Sequence, residues 1–223
     1  MSGGRRFRIG AVHALMNSIG PTQAAFDRRW PVVDVAHLLD GSLYLDRSRG
    51  TANEAEVASR VERLIAYSAA TGAEGVIFTG SFFGDAVKKV RGGMTIPVVT
   101  SFDGIIERAL KLDCPLHILA TAPDSVTLLM AELQREATQR SRGVSLSGHT
   151  VADALDALIG GDPDRHDHLV VEAVRAVDID AAILFAQFSM ERAYEQVATE
   201  RDAPVIGPAT EAVARLSEQV TRS

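Results

Sequence analysis

The chain has 223 residues, 46% of them apolar, and its formal net charge at pH 7 is −6. This composition predicts a soluble protein with a proper core, in one large domain or two small ones, and the negative charge argues against nonspecific binding to nucleic acid. No apolar run approaches the roughly 18 residues of a membrane span, and residues 1–8 lack the apolar core of a signal peptide, so we expect no membrane association and a cytoplasmic location.

Strands and helices are predicted to alternate along the whole chain. In the first half we predict strands at residues 7–13, 32–38, 75–79 and 97–100, and helices at residues 21–29, 51–71, 82–90 and 103–112. In the second half we predict strands at residues 116–121, 144–147, 181–186 and 204–206, and helices at residues 123–138, 151–159, 163–177, 190–199 and 209–220. This alternation is typical of parallel sheets covered by helices, whose ligands bind beyond the carboxyl ends of the strands.

The two halves repeat one another at a constant offset of 107 residues, which superimposes residues 75–81 on 182–188 and residues 9–13 on 116–120. The repeat predicts an α/β protein with two pseudo-symmetric parallel-sheet lobes. We assign residues 1–102 with 208–223 to the first lobe and residues 103–207 to the second, and we expect the active-site cleft between them. Two pairs of equivalent strand ends are expected to face each other across this cleft, namely His13 with Ala120 and Gly80 with Gln187.

The segment Thr79-Gly80-Ser81-Phe82-Phe83-Gly84 lies between a predicted strand and a predicted helix. Free backbone N–H groups at a helix start form a site for an anion such as a carboxylate, and Thr79 and Ser81 would add hydroxyl groups. An ordinary turn capped by Ser81 is the alternative. The segment is neither a Walker loop, nor a GxGxxG fingerprint, nor a GxSxG nucleophile elbow.

These stretches, together with residues 159–167 and 186–190, resemble the aspartate/glutamate racemase superfamily, which includes hydantoin and allantoin racemases, maleate isomerase and arylmalonate decarboxylase. The resemblance covers essentially the whole chain and is closer to an uncharacterised branch of that superfamily. It implies a small carboxylate or related molecule as substrate, cofactor-independent chemistry beside a carboxylate or carbonyl group, and possible homo-oligomers. It gives no reason to expect a metal ion, since the sequence has no cluster of cysteine, histidine and carboxylate ligands.

The racemases of this superfamily place one cysteine at each of two equivalent strand ends, and these positions are Gly80 and Gln187 here. The two-cysteine mechanism is therefore excluded for this sequence. The single cysteine, Cys114, precedes Pro115 at the far end of a predicted strand, so we interpret it as a structural thiol.

His13 ends the first strand and is the remaining candidate for acid–base work, because an ordinary histidine pKa suits proton transfer near neutral pH. The alternative is a hydrogen-bonded histidine that packs the strand end. His149 is expected just after a strand and is a second candidate acid or base. Asp40, Ser42 and Tyr44 are expected in a loop that forms either part of a lid or a solvated connection. The candidate substrate-binding residues are Asn17, Ser18, Thr79, Ser81, Phe82, Thr121, His149, Phe188 and Ser189.

Three functional classes remain open on the sequence alone. The first is a racemase or isomerase that acts beside a carboxylate or carbonyl group. The second is a decarboxylase or C–X lyase that stabilises an enolate and needs only one proton donor. The third is a noncatalytic protein that binds a small ligand on the same scaffold.

Overall fold

The computed structural model describes residues 6–51 and 53–222, in which eight strands form two separate parallel sheets. The chain divides into two compact units: the residues up to Gly104 together with those from Ala212 onward, and the segment Ile105–Glu211. We call them the first and the second lobe. Each lobe contains one four-stranded sheet, which confirms the predicted α/β class.

The first lobe has the strand order β2-β1-β3-β4. Its elements are β1 (Phe7–His13), α1 (Ile19–Arg29), β2 (Val33–Leu39), α2 (Ser42–Arg49), α3 (Glu54–Ala70), β3 (Gly75–Phe78), α4 (Gly84–Arg91) and β4 (Val98–Thr100). Helix α5 (Asp103–Ala109) begins in the first lobe and continues into the second.

The second lobe has the strand order β6-β5-β7-β8. Its elements are β5 (Leu116–Ala120), α6 (Pro123–Gln139), β6 (Leu146–Thr150), α7 (Ala152–Ile159), α8 (Pro163–Arg175), β7 (Ala182–Phe185), α9 (Tyr194–Glu200) and β8 (Val205–Ile206). The last helix, α10 (Pro208–Arg222), begins in this lobe and continues into the first. Within the described ranges, no helix combines the length and the apolar character that a membrane crossing requires.

The central strands β3 and β7 are buried along their whole length. Strands of this kind are covered on both faces. Their sequences are therefore continuous runs of apolar residues, without alternation of apolar and polar residues. Helix α3 covers β3 with Val61 and Ile65, both fully buried. Its start is fixed by a capping box, in which the Asn53 side chain accepts from the N–H of Glu56 and the Glu56 carboxylate accepts from the N–H of Asn53.

The pairing of the strands reproduces the internal repeat. Ile9 pairs with Gly75 in the first lobe, and Leu116 pairs with Ala182 in the second, which is the predicted offset of 107. The second strand departs from this offset, because the partners of Ile9 and Leu116 on the other side are Val35 and Leu146, which differ by 111 in number. The whole connection from β5 to β6 is therefore longer than the connection from β1 to β2, and its helix α6 is longer than α1.

The strand predicted at residues 144–147 is β6, but its bounds were wrong, and so was the placement of His149 after it, because β6 includes His149. Gly148 explains the error, since glycine in a strand pattern weakens the signal. A Cβ atom at Gly148 would lie 2.7 Å from the carbonyl oxygen of Ile118, so the neighbouring backbone leaves no room for a side chain.

The loop predicted around Asp40, Ser42 and Tyr44 was also wrong, because Ser42 and Tyr44 lie in α2. Leu43 of this helix is fully buried. The Arg60 guanidinium binds the Asp40 carboxylate at 3.0 Å and the Asp46 carboxylate at 2.6 Å. These contacts hold α2 against α3, so the segment is an ordered part of the first lobe.

Candidate functional site

At the carboxyl edge of the first sheet, His13 meets the residue that follows β3. His13 is the last residue of β1, and the Thr79 N–H donates to the Val12 carbonyl at 2.9 Å, which sets the two chains side by side. The Thr79 Oγ1 then lies 3.0 Å from the His13 Nδ1. His13 is fully buried, whereas 5% of Thr79 is exposed, so Thr79 is the more accessible residue of the pair.

The His13 ring continues into a chain of hydrogen bonds that reaches the surface. Its Nε2 lies 2.9 Å from the Nδ1 of His37 on β2, and the His37 Nε2 lies 2.9 Å from the Oε1 of Gln23 on α1. The amide nitrogen of Gln23 donates to the exposed Asp27 carboxylate at 2.8 Å. Sequence reasoning missed His37 and Gln23. The available signal was that His13 and His37 occupy strands whose alternate residues share a face.

Burial, followed by the neighbouring His37, lowers the pKa of His13 to about 3. Partial burial also lowers the pKa of His37. Both groups are therefore neutral at pH 7, since desolvation disfavours the imidazolium form. The expectation that the pKa of His13 lies near neutrality was wrong, and any proton that reaches its Nδ1 must be passed on at once.

The turn after β3 presents backbone donors. A short 3-10 segment, Ser81–Phe83, leads into α4, and the N–H groups of Gly80, Ser81 and Phe82 donate to no protein acceptor in the described part of the chain. No side chain caps either helix start, so the alternative of a turn capped by Ser81 was wrong. Orphan N–H groups of this kind form an anion site.

Nothing in the backbone of Gly80 requires glycine, because its φ of −85° and ψ of 103° suit any residue. The surroundings do restrict the position. A Cβ atom there would lie 2.6 Å from the Phe83 Cδ2 and 3.3 Å from the Phe78 Cε1. The Phe83 ring, which is 3% exposed, therefore fills the space that a cysteine side chain would need.

Replacing Gly80 by cysteine should lower the free energy of unfolding by roughly 1–2 kcal/mol, because the new Cβ atom forces the buried Phe83 ring to move. The double variant Gly80→Cys/Phe83→Leu should recover part of this loss. Urea unfolding checks both expectations. If a suitable ligand binds, the thiol at a helix start should also create proton exchange at the ligand's α-carbon.

The matched control is Gly92→Cys, since no atom lies within 4 Å of a Cβ atom at Gly92 and its φ is −63°. This variant adds a thiol without crowding and should unfold like the wild type. If Gly80→Cys is as stable as the wild type, the Phe83 ring can move aside without lowering the free energy of unfolding.

In the second lobe, the position equivalent to Gly80 is Gln187, and its side chain is anchored by the carbonyl oxygen. The Gln187 Oε1 accepts from the Thr121 N–H at 2.6 Å, the Ala122 N–H at 2.9 Å and the Thr121 hydroxyl at 3.1 Å. These donors lie between β5 and the first turn of α6. Because the carbonyl is fully engaged, only the amide N–H groups of Gln187 remain to meet a ligand, and they donate without exchanging a proton as a base.

Replacing Gln187 by leucine should cost roughly 1–2 kcal/mol of stability, because the N–H groups of Thr121 and Ala122 lose their acceptor. Gln187→Glu should retain most of the stability, since a carboxylate oxygen can accept the same bonds. Thermal or urea unfolding measures the difference. Gln196→Leu, at an exposed position on α9, is the matched control, and equal losses in the two leucine variants would contradict the anchoring role.

The remaining predicted site residues fall into three groups. Asn17 and Ser18 lie in a 3-10 segment after β1, and the Asn17 Oδ1 is buried without a hydrogen-bond partner in the described residues. Phe188 and Ser189 are buried directly after Gln187. His149 is exposed on β6, where its Nδ1 lies 2.9 Å from the His117 Nε2. The structure therefore groups His13 with Thr79 and Thr121 with Gln187, and the cleft expected from the repeat stays a prediction.

Comparison with known proteins gave two different outcomes. No protein-family model matches the sequence, and no curated protein matches it. Solved structures do match its fold. The allantoin racemase of Klebsiella pneumoniae is 18% identical, with a TM-score of 0.70, over 97% of this chain and 88% of that one. The glutamate racemase of Bacillus anthracis is 12% identical, with a TM-score of 0.70, over 98% and 83%.

The aspartate racemase of Picrophilus torridus is 11% identical, with a TM-score of 0.72, over 96% of this chain and 94% of that one. At these identities the likeness concerns the path of the backbone and carries no site residue with it. The chain therefore has the two-lobed parallel α/β fold of the aspartate, glutamate and allantoin racemases.

Proposed function

We propose that the chain is a cofactor-independent enzyme of the aspartate/glutamate racemase superfamily that acts at a carbon beside the carboxylate or carbonyl group of a small molecule. The observation that carries the proposal is the contact between the Thr79 hydroxyl and the buried His13 ring at the carboxyl edge of the first sheet. A hydroxyl group in contact with an imidazole that is itself oriented by a third group is a common arrangement for proton transfer.

The free N–H groups of Gly80, Ser81 and Phe82 supply the binding part of this proposal. They offer a cradle of donors for a carboxylate, and the two hydroxyl-bearing residues Thr79 and Ser81 flank Gly80 in the chain. Donors that meet a carboxylate also stabilise the enolate that forms when a neighbouring proton leaves. In the analogous oxyanion case each donor is worth roughly 2.7–4 kcal/mol of the barrier.

Proton transfer in this proposal proceeds at one face of the carbon. Gly80 has no side chain, and Gln187 presents only amide donors, so neither cysteine position supplies a base. An isomerisation, or an exchange of the α-proton with retained configuration, needs a base on one face alone. A free interconversion of enantiomers needs groups on both faces.

Decarboxylation or C–X cleavage is the second candidate, and the anchoring of Gln187 favours it. Because the Gln187 carbonyl is held by Thr121 and Ala122, its amide N–H groups are positioned to donate to a developing enolate oxygen. A lyase of this kind requires only one proton donor, for the product.

A substrate screen in deuterated water separates these reactions. The probes are the enantiomers of aspartate and glutamate, allantoin, a substituted hydantoin, maleate and phenylmalonate, followed by NMR and chiral chromatography. We expect deuterium at the α-carbon with retained configuration. Loss of carbon dioxide from phenylmalonate would select the lyase. Binding without any change in the whole set would favour a noncatalytic ligand-binding protein.

A further inference from the structure

The hydrogen-bond chain behind Thr79 has a defined direction, and the direction comes from its outer end. The Asp27 carboxylate only accepts, so the Gln23 amide nitrogen faces it and the Gln23 carbonyl faces His37. His37 therefore donates from its Nε2 and accepts at its Nδ1. It follows that His13 donates from its Nε2 to His37 and accepts from the Thr79 hydroxyl at its Nδ1.

The same chain runs from the interior to the surface. His13 is fully buried, Thr79 is nearly so, and His37 is exposed. The two links between them measure 3.0 Å and 2.9 Å, which is ordinary hydrogen-bond length. The three side chains are thus linked by direct hydrogen bonds, and the path between them needs no bridging water molecule.

We propose that Thr79, His13 and His37 form a proton relay that connects a ligand at the carboxyl end of β3 with solvent at His37. This proposal rests on the proposed function and deepens it, because it names the group that meets the ligand and the point where the proton leaves the protein. Thr79 is the residue that touches the ligand, and His13 and His37 act through it.

The step balances as a series of proton shifts. The ligand's C–H bond breaks, its electron pair stays on the ligand as an enolate, and its proton binds to the Thr79 oxygen. The hydroxyl proton of Thr79 moves to the His13 Nδ1, and the His13 Nε2 proton moves to the His37 Nδ1. His37, now protonated on both nitrogens, then releases its Nε2 proton to water when its hydrogen bond to the Gln23 carbonyl opens. Reversal of the same shifts returns a solvent proton to the same face of the carbon.

The relay explains how His13 can transfer protons although it is a weak base. Burial lowers the pKa of His13, so an imidazolium at this position is disfavoured. Simultaneous gain at Nδ1 and loss at Nε2 leaves the ring neutral, and the charge is carried by His37 at the surface. His37 is therefore a positioning and relay residue.

The first test needs no ligand and reads the tautomers of the two rings. Long-range proton–nitrogen NMR spectra of the full chain with isotope-labelled histidine should show His13 and His37 both protonated on Nε2 at neutral pH. Gln23→Leu removes the acceptor that fixes the direction and should give a mixture of tautomers at His37. Protonation of either ring on Nδ1 in the wild type would overturn the direction and with it the relay.

The second test separates a relay from a structural contact. If His37 conducts protons, His37→Leu should slow the solvent exchange of the His13 imidazole proton on the order of tenfold or more. A purely structural His37 predicts the opposite sign, because its loss would open the buried ring to water. Added imidazole should restore fast exchange in His37→Ala, and exposed His168→Gln on α8 should leave the rate unchanged.

Faster or unaltered exchange in His37→Leu overturns the proposal. Both measurements use the protein alone, so they can fail while the substrate screen succeeds. Equally, the relay can be intact in a protein that processes none of the screened compounds. The failure of the relay and the failure of the proposed function are thus distinguishable.

Discussion

Thr79→Val should lower the rate of α-proton exchange by about 100-fold or more, for any probe that the wild-type protein exchanges. Valine keeps the shape of threonine but has no hydroxyl group, so the contact with the His13 Nδ1 is lost. Because His13 is fully buried, no other atom of that ring is available to a ligand. Deuterium incorporation followed by NMR gives the rate directly.

Thr79→Ser is the matched control, since it keeps the hydroxyl group and should retain most of the rate. Binding of the probe should change little in either variant, because the backbone N–H groups of the turn after β3 remain. If Thr79→Val exchanges the α-proton as fast as the wild type, the Thr79 hydroxyl group has no role in proton transfer. It would leave a water molecule or another side chain as the base.

The stability of the fold should depend on His13 in mildly acidic solution. Burial lowers the pKa of His13 in the folded state to about 3, whereas the ordinary histidine pKa is 6.5. Well above pH 6.5, His13 is neutral in both the folded and the unfolded protein, so its titration does not change the free energy of unfolding there. As the pH falls below 6.5, His13 binds a proton in the unfolded chain but stays neutral in the folded protein. This difference lowers the free energy of unfolding by roughly 3 kcal/mol at pH 4.

The comparison that isolates this effect is the wild type against His13→Gln, in urea unfolding at pH 7 and at pH 4. Carboxylates contribute to acid destabilisation in both proteins, so only the difference between their slopes reports on His13. The wild type should lose more stability than His13→Gln over this interval. Parallel slopes would mean that His13 becomes protonated within the fold without cost.

Most strand and helix positions follow from local patterns in this sequence. Fully apolar β3 and β7, with turn residues on either side, are recognisable without a structure. The repeat adds long-range information, because an equal spacing between two similar segments predicts equal pairing. This is why the two lobes are expected to share one register, which the structure shows as Ile9 with Gly75 and Leu116 with Ala182.

The site was less accessible to the same reasoning. Gly80 and Gln187 could be located by alignment, but the sequence does not reveal that Phe83 fills the thiol space or that Thr121 holds Gln187. Likewise, His37 reaches His13 only through the pairing of β1 with β2. Side-chain contacts of this kind depend on three-dimensional neighbours and on burial, which also moved the pKa of His13 away from its ordinary value.

The division of the chain between the lobes has a consequence for its synthesis. Leu216 and Val220 of α10 pack so closely on β3 that a Cβ atom at Gly75 would lie 2.7 Å from the Val220 Cγ2. The first lobe thus closes with a helix that the ribosome makes after the whole of Ile105–Glu211. During translation, the second lobe can therefore be complete before α10 packs on the sheet of the first lobe. Until then the apolar face of that sheet is exposed, and we expect it to be the part of the chain that binds chaperones or aggregates most readily.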